Sequence, residues 1–105
     1  MPQGTQYGTF LLMKYFHWNE EKDAQLKQER GVSFSDIVVV MTGGGLLDMV
    51  PHPNPRKYPN QRMFVVKVAD YVYLVPFVET DDGIFLKTII PSRKATMKYL
   101  GGEMI

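Results

Sequence analysis

The apolar positions of this chain are sparse and helix-spaced in its first half and gathered into short β-branched and aromatic runs in its second. Residues 10–16 are apolar and aromatic with one Lys, which predicts a first strand; residues 1–9 have little to bury and read as a loose, flexible tail. Asn19 is placed to cap a helix whose first turn carries Glu20 and Glu21, and Gly31 to stop it after Arg30. The apolar stripe of that helix is thin, with Trp18 and Leu26 on one line and Lys22 between them. Ser33, with Asp36 three residues on, reads as a capping box. It opens a short buried helix that ends at Gly43-Gly44-Gly45, although Ile37 to Met41 would suit a strand on propensity alone.

Residues 46–50 form a short strand, and Pro51, Pro53, Pro55 and Pro59 then exclude regular structure as far as Gln61. Residues 63–68 and 71–78 read as strands joined by a tight turn at Ala69-Asp70, and Pro76 implies a bulge or an unpaired edge. After the turn Asp81-Asp82-Gly83 come a last strand over 84–90 and a last helix over 92–100, capped by Ser92. The sum is an α+β fold: an antiparallel sheet of about four strands, two N-terminal helices and one C-terminal helix, with the helices on one face. Residues 10–105 are long enough to form a single domain around one core without staples.

Composition narrows the chemistry. With no Cys among its 105 residues the chain has no disulfide framework, thiol nucleophile or zinc–thiolate site, and no spacing of His, Asp and Glu resembles a metal motif. The expectation is no metal and no cofactor. Neither a signal sequence nor a membrane-length apolar run is present, so a soluble cytoplasmic protein with no membrane partner is expected. The net charge of +1 hides segregation. Between residues 49 and 69 the only charges are Arg56, Lys57, Arg62 and Lys67; between 83 and 102 they are Lys87, Arg93, Lys94 and Lys98. Two all-basic segments suit an anionic ligand on one face; solvated surface charge that happens to cluster is the plain alternative. Arg93 and Lys94 also fall at the first helical positions, where cations cost a few tenths to about 1 kcal/mol and where phosphate is best received.

The segments Phe16-His17-Trp18-Asn19, with Lys22, and Arg30-Gly31-Val32-Ser33-Phe34 resemble the opening of BrnT-type toxins. Ile89-Ile90-Pro91-Ser92-Arg93-Lys94-Ala95-Thr96 resembles that family's closing segment, so the likeness spans roughly residues 15–99. The family belongs to the RelE/ParE-like group, the toxin halves of bacterial toxin–antitoxin pairs. The resemblance implies a RelE-like fold, a metal-independent endoribonuclease causing growth arrest, and a ribbon-helix-helix antitoxin that alone contacts operator DNA. Several positions depart from the family pattern: Arg30 replaces a His, Asn19 an Asp, and Thr88 falls where an Arg is usual. These departures support an alternative, a catalytically silent module of the same fold that binds antitoxin or nucleic acid.

Metal-free RNA cleavage uses the substrate's 2′-hydroxyl as nucleophile and needs a base, cations for the phosphorus-centred charge and an acid for the leaving oxygen. The catalytic candidates are Arg93 as phosphate clamp, Lys87, His52 and Lys22. Lys87 shares a sheet face with Phe85 and Ile89, which places it in a groove if that face is open and at an edge if it is packed. Lys22 serves either in catalysis or by snorkelling past the core. His52 stands on a polar Pro-bounded loop, whereas His17 reads as surface or core edge. RNA-binding candidates are Lys94, Arg62, Lys57, Tyr58 and Tyr99. Tyr58 either stacks on a base or packs its loop, and Tyr99 either contacts phosphate or completes the packed stripe of the last helix.

Overall fold

Helix ends are set by local chemistry. The structure, a computed structural model, describes residues 15–104. In it Asn19 Oδ1 accepts a hydrogen bond from the Lys22 N–H at 2.9 Å, starting α1 (Glu20–Arg30). Gly31 closes that helix in the left-handed region at φ 72°. Ser33 and Asp36 exchange the two bonds of a capping box at the head of α2 (Phe34–Val40). The Asp23 carboxylate accepts from the Phe34 N–H at 2.7 Å, so α1 also holds the start of α2. A π-type turn over Met41–Gly45 then leaves the helix, with Gly44 at φ 102°. Gly45 passes so close to Val40 and the Lys67 carbonyl that no side chain fits there. These helices match the sequence expectation.

The strands are β1 (Phe16–Trp18), β2 (Leu46–Pro51), β3 (Gln61–Val68), β4 (Tyr71–Thr80), β5 (Gly83–Leu86) and β6 (Ile90–Pro91), followed by α3 (Arg93–Met104). They form one sheet in the order β1-β5-β4-β3-β2, with β6 also on β4. All pairs are antiparallel except β1 with β5, which run parallel. The α+β class with three helices holds, and the expected sheet of about four antiparallel strands is, among the described residues, a mixed sheet of six. Two causes are visible. The aromatic segment before α1 adds as a parallel edge strand at Phe16–Trp18, while positions 10–14 of the expected first strand and the expected tail over residues 1–9 lie outside the described residues. The expected last strand over 84–90 is in fact divided into β5 and β6.

Pro76 accounts for the division. Its carbonyl accepts from the Lys87 N–H at 2.8 Å, and Val72, four residues earlier on the same side of β4, accepts from the Ser92 N–H at 3.0 Å. A strand residue presents N–H and C=O to one side, so the donor that Pro76 lacks is missing on the side of β5 and β6. Pairing with β5 stops at Phe77↔Leu86 and resumes with β6 at Leu74↔Ile90.

Helices cover both faces of the sheet, which corrects the expectation of one. β3 and β4 are apolar on both sides, and a sheet buried twice needs a layer on each. Phe64, Val66, Val75, Phe77, Ile84 and Leu86 pack with Leu26 of α1 and Phe34 and Ile37 of α2. On the other face Val65 and Val72 pack against Ala95 and Leu100 of α3. Thr96 fastens that helix: its buried hydroxyl accepts from the Val72 N–H at 2.9 Å and donates to the Ser92 carbonyl at 2.8 Å. This continues the ladder of β4 one step past the end of β6.

Two stability predictions follow from these contacts. Thr96→Val keeps the volume but orphans the Val72 amide, and should lower unfolding free energy by about 1–3 kcal/mol in urea titration. The Asp36 carboxyl is held below its ordinary 3.8, first by the Ser33 N–H it accepts, with Lys27 assisting and burial opposing. A depressed folded-state value means a contribution fully present above the ordinary value and lost as pH falls through the folded one. Asp36→Asn should therefore flatten the acid limb of stability below about pH 4 and leave the slope near neutrality unchanged.

Candidate functional site

The break opposite Pro76 opens onto a groove of about 350 Å³. Its lining is Lys22, His52, Tyr58, Gln61, Pro76, Lys87, Thr88 and Ile90. Four residues singled out in the sequence, from α1, the Pro-rich loop and the gap between β5 and β6, thus come to one place. The lining contains two Lys and no acid. Lys22 reaches it from the first turn of α1 and is half-buried, in keeping with a side chain that runs past apolar neighbours to a polar tip. Lys87 is exposed, and its ammonium lies 5.7 Å from the Phe85 ring centre.

Lys87 and Ile89 do not share a face, contrary to simple alternation. Ile89 is fully buried in the core beneath α1 and α2, whereas Phe85 alternates with the core residues Ile84 and Leu86 and points to the other side. The non-strand segment 87–89 rotates the chain between them.

The Pro-rich loop delivers His52 by a fixed route. The His52 N–H donates to the Gln61 carbonyl at 3.2 Å, so the loop leaves and re-enters the sheet at one point. Nδ1 of His52 accepts from the Asn54 N–H at 3.0 Å, and the ring lies 4.4 Å from that of Tyr58. An accepting Nδ1 assigns the neutral imidazole its proton on Nε2, which makes Nε2 a donor. Lys57 sits over the other aromatic partner, 5.4 Å from the Tyr58 ring centre.

The remaining candidates fall elsewhere. Ser92 caps α3 through the Ala95 N–H at 3.0 Å, as expected, and places Arg93 and Lys94 exposed at its first two positions. Arg93 does not line the groove. Lys94 and Lys98 rim a second, mostly apolar groove of about 370 Å³ beneath α3, whose floor includes Val50, Met63, Val65 and Leu74. The two grooves adjoin at the Pro-rich loop: Pro51 and Pro53 line one, His52 the other. Tyr99 lines the apolar groove, but its hydroxyl donates to Asp48 Oδ2 at 2.8 Å and ties α3 to β2.

Arg62 lies on the opposite face, on the side of α1 and α2. It alternates with Phe64, its guanidinium lies 5.3 Å from the Phe77 ring centre, and it pairs with Glu79 at 2.5 Å. Arg62 therefore lies apart from Lys87 and from the start of α3, so the cations of the two basic segments do not all share one face. Thr88, noted in the sequence as standing where an Arg is usual, also lines the basic groove, as do Gln61 and Ile90, for which the sequence offers only adjacency to the Pro-rich loop and to Lys87. Among the described residues no group of three or more His, Asp or Glu could hold a metal ion, and no helix is long and apolar enough to cross a membrane.

No protein-family model, curated protein or solved structure matches this chain. The groove's geometry is thus the main ground for a functional reading. Its proton assignment is directly measurable: ¹⁵N-labelled histidine NMR at neutral pH should show His52 protonated on Nε2, and a protonated Nδ1 would contradict the hydrogen bond from Asn54.

Proposed function

We propose that this chain is the toxin component of a toxin–antitoxin pair and cleaves RNA without a metal, at the basic groove. The observation that carries this reading is the meeting of Lys22, His52, Tyr58 and Lys87 around an acid-free hollow. Here the RNA 2′-oxygen attacks the adjacent phosphorus and expels the 5′-oxygen, leaving a 2′,3′-cyclic phosphate. The 2′-hydroxyl proton passes to water. Lys87 and Lys22 receive the charge that develops on the phosphoryl oxygens, the His52 Nε2–H hydrogen-bonds the leaving 5′-oxygen as its charge develops, and that oxygen takes its proton from water. Tyr58, with Lys57 behind it, holds a flanking base.

The apolar groove rimmed by Lys94 and Lys98 suits an amphipathic acidic segment, and in this reading the ribbon-helix-helix antitoxin occupies it. Operator DNA is then contacted by the antitoxin alone. A second reading has its own support. No Arg lines the basic groove, Arg93 stands outside it, and the Tyr99 hydroxyl is engaged with Asp48. Those facts favour a catalytically silent module that keeps the fold and binds antitoxin or nucleic acid.

One experiment separates the two. Incubated with single-stranded RNA and EDTA, the wild-type chain should generate cyclic-phosphate and 5′-hydroxyl ends. Lys87→Gln and His52→Gln should each reduce the rate by about 10²–10³-fold with circular dichroism unchanged. Intact RNA from a folded wild type, together with no growth arrest on expression, would establish the silent module instead.

A further inference from the structure

Beyond the groove, the same sheet face carries a row of side chains that neither core uses. Register aligns His17 with Phe85, Phe85 with Val78 and Val78 with Gln61, so the four stand side by side across β1, β5, β4 and β3. All four are half-buried, and among the described residues Phe85 and Val78 belong to neither hydrophobic core. The described part of α3 packs over Val65 and Val72 instead, on the other side of the Pro76 break. The row ends at Gln61, which already lines the basic groove.

Phe85 is held in a definite orientation. The His17 ring meets it edge-on, with centroids 5.7 Å apart and planes at 87°, and His17 Nε2 lies 3.4 Å from the Thr80 hydroxyl. The Lys87 ammonium lies over the ring, 5.7 Å from its centre, and across the groove the Lys57 ammonium lies over Tyr58 at 5.4 Å, so a base would take the opposite face of each ring. The same unit, an aromatic ring with an ammonium next to it, thus occurs on both banks. Phe85 and Gln61 are two strand spacings apart, about 10 Å.

We infer that Phe85 is a base-stacking residue, positioned by His17, and that it and Tyr58 grip the two bases flanking the phosphate in the groove. This rests on the RNA reading above and specifies its substrate as single-stranded RNA with its bases splayed apart. A ring accepts any base, because every base has a π-face, while the adjacent ammonium takes the phosphate. An open sheet carrying exposed aromatics is a known way to hold single strands, whereas a helical RNA cannot lay its bases on such a face. Splaying also frees the attacking 2′-oxygen, the phosphorus and the leaving oxygen to come into line. An acidic peptide would answer the lysines but has no use for the ring.

The test is fluorescence anisotropy of the full chain with a labelled RNA octamer of mixed sequence. Phe85→Leu should weaken binding by roughly 10-fold with the salt dependence unchanged, and Phe85→Tyr, which keeps the π-face, should bind within about threefold of wild type. Lys87→Gln should instead flatten the salt dependence by about one phosphate. A fold-independent arm uses wild type alone, where an octamer carrying abasic sites at its centre should lose a similar factor. If abasic and intact octamers bind equally while Lys87→Gln still weakens both, the stacking role is overturned and the RNA reading survives. If the wild type binds no RNA, or binds polyglutamate as tightly, both fall.

Discussion

The absence of one amide hydrogen organises this molecule. Pro76 sits in the middle of the longest strand and offers no donor on the side where the last strand should run. Had that ladder been continuous, residues 83–91 would form one strand, and Lys87, Thr88 and Ile90 would be ordinary ladder positions with alternating faces. Instead β5 ends at Leu86, three residues turn out of register, and β6 restores pairing for two residues before α3 begins. The interruption opens the basic groove and buries Ile89 on one face while Phe85 stays on the other. It also sets where the last helix starts, since β6 carries the chain directly to Ser92.

What can be read in advance is governed by how local each cause is. Caps and stops act within four residues, so Asn19, Gly31, Ser33, Asp36 and Ser92 announce the helices from sequence alone. Pro76 likewise announces a bulge or edge. Its consequence was hidden, because which side of β4 faces the last strand depends on partners far along the chain. The same limit explains the placing of α3. Alternation shows that β3 and β4 are apolar on both sides, but not which helix takes which side, and that assignment decides where every cation on the sheet ends up.

Arg62 and Lys87 make the point. In sequence both are cations beside strands within basic segments. In the fold Arg62 falls with Phe64 and Phe77 on the side of α1 and α2, where Glu79 two residues beyond Phe77 pairs with it. Lys87 falls in the break, with an aromatic ring beside it and no acid in the groove it lines. A basic stretch therefore does not translate into a basic surface. Parity along the strand and the position of the nearest carboxylate sort its members into those that are already neutralised and those whose charge remains for a ligand.

The helix ends carry the same distinction. α1 follows its dipole, with Glu20, Glu21 and Asp23 in the first turn and Lys27 and Arg30 in the last. Arg30 goes further and donates to the Ile89 carbonyl, using the helix C-terminus to hold the segment just before β6. α3 opposes its dipole, with Arg93 and Lys94 at its first two positions and no acid in its first turn. Its stability comes from elsewhere: the Ser92 cap, the two bonds of Thr96, the Tyr99–Asp48 tie and the burial of Ala95 and Leu100. Apart from the cap and the Thr96 bond to the Ser92 carbonyl, those contacts are made toward the sheet. Among the described residues none of these contacts uses the Arg93 or Lys94 side chain, so the electrostatic cost of these two cations is offset by packing elsewhere on the helix.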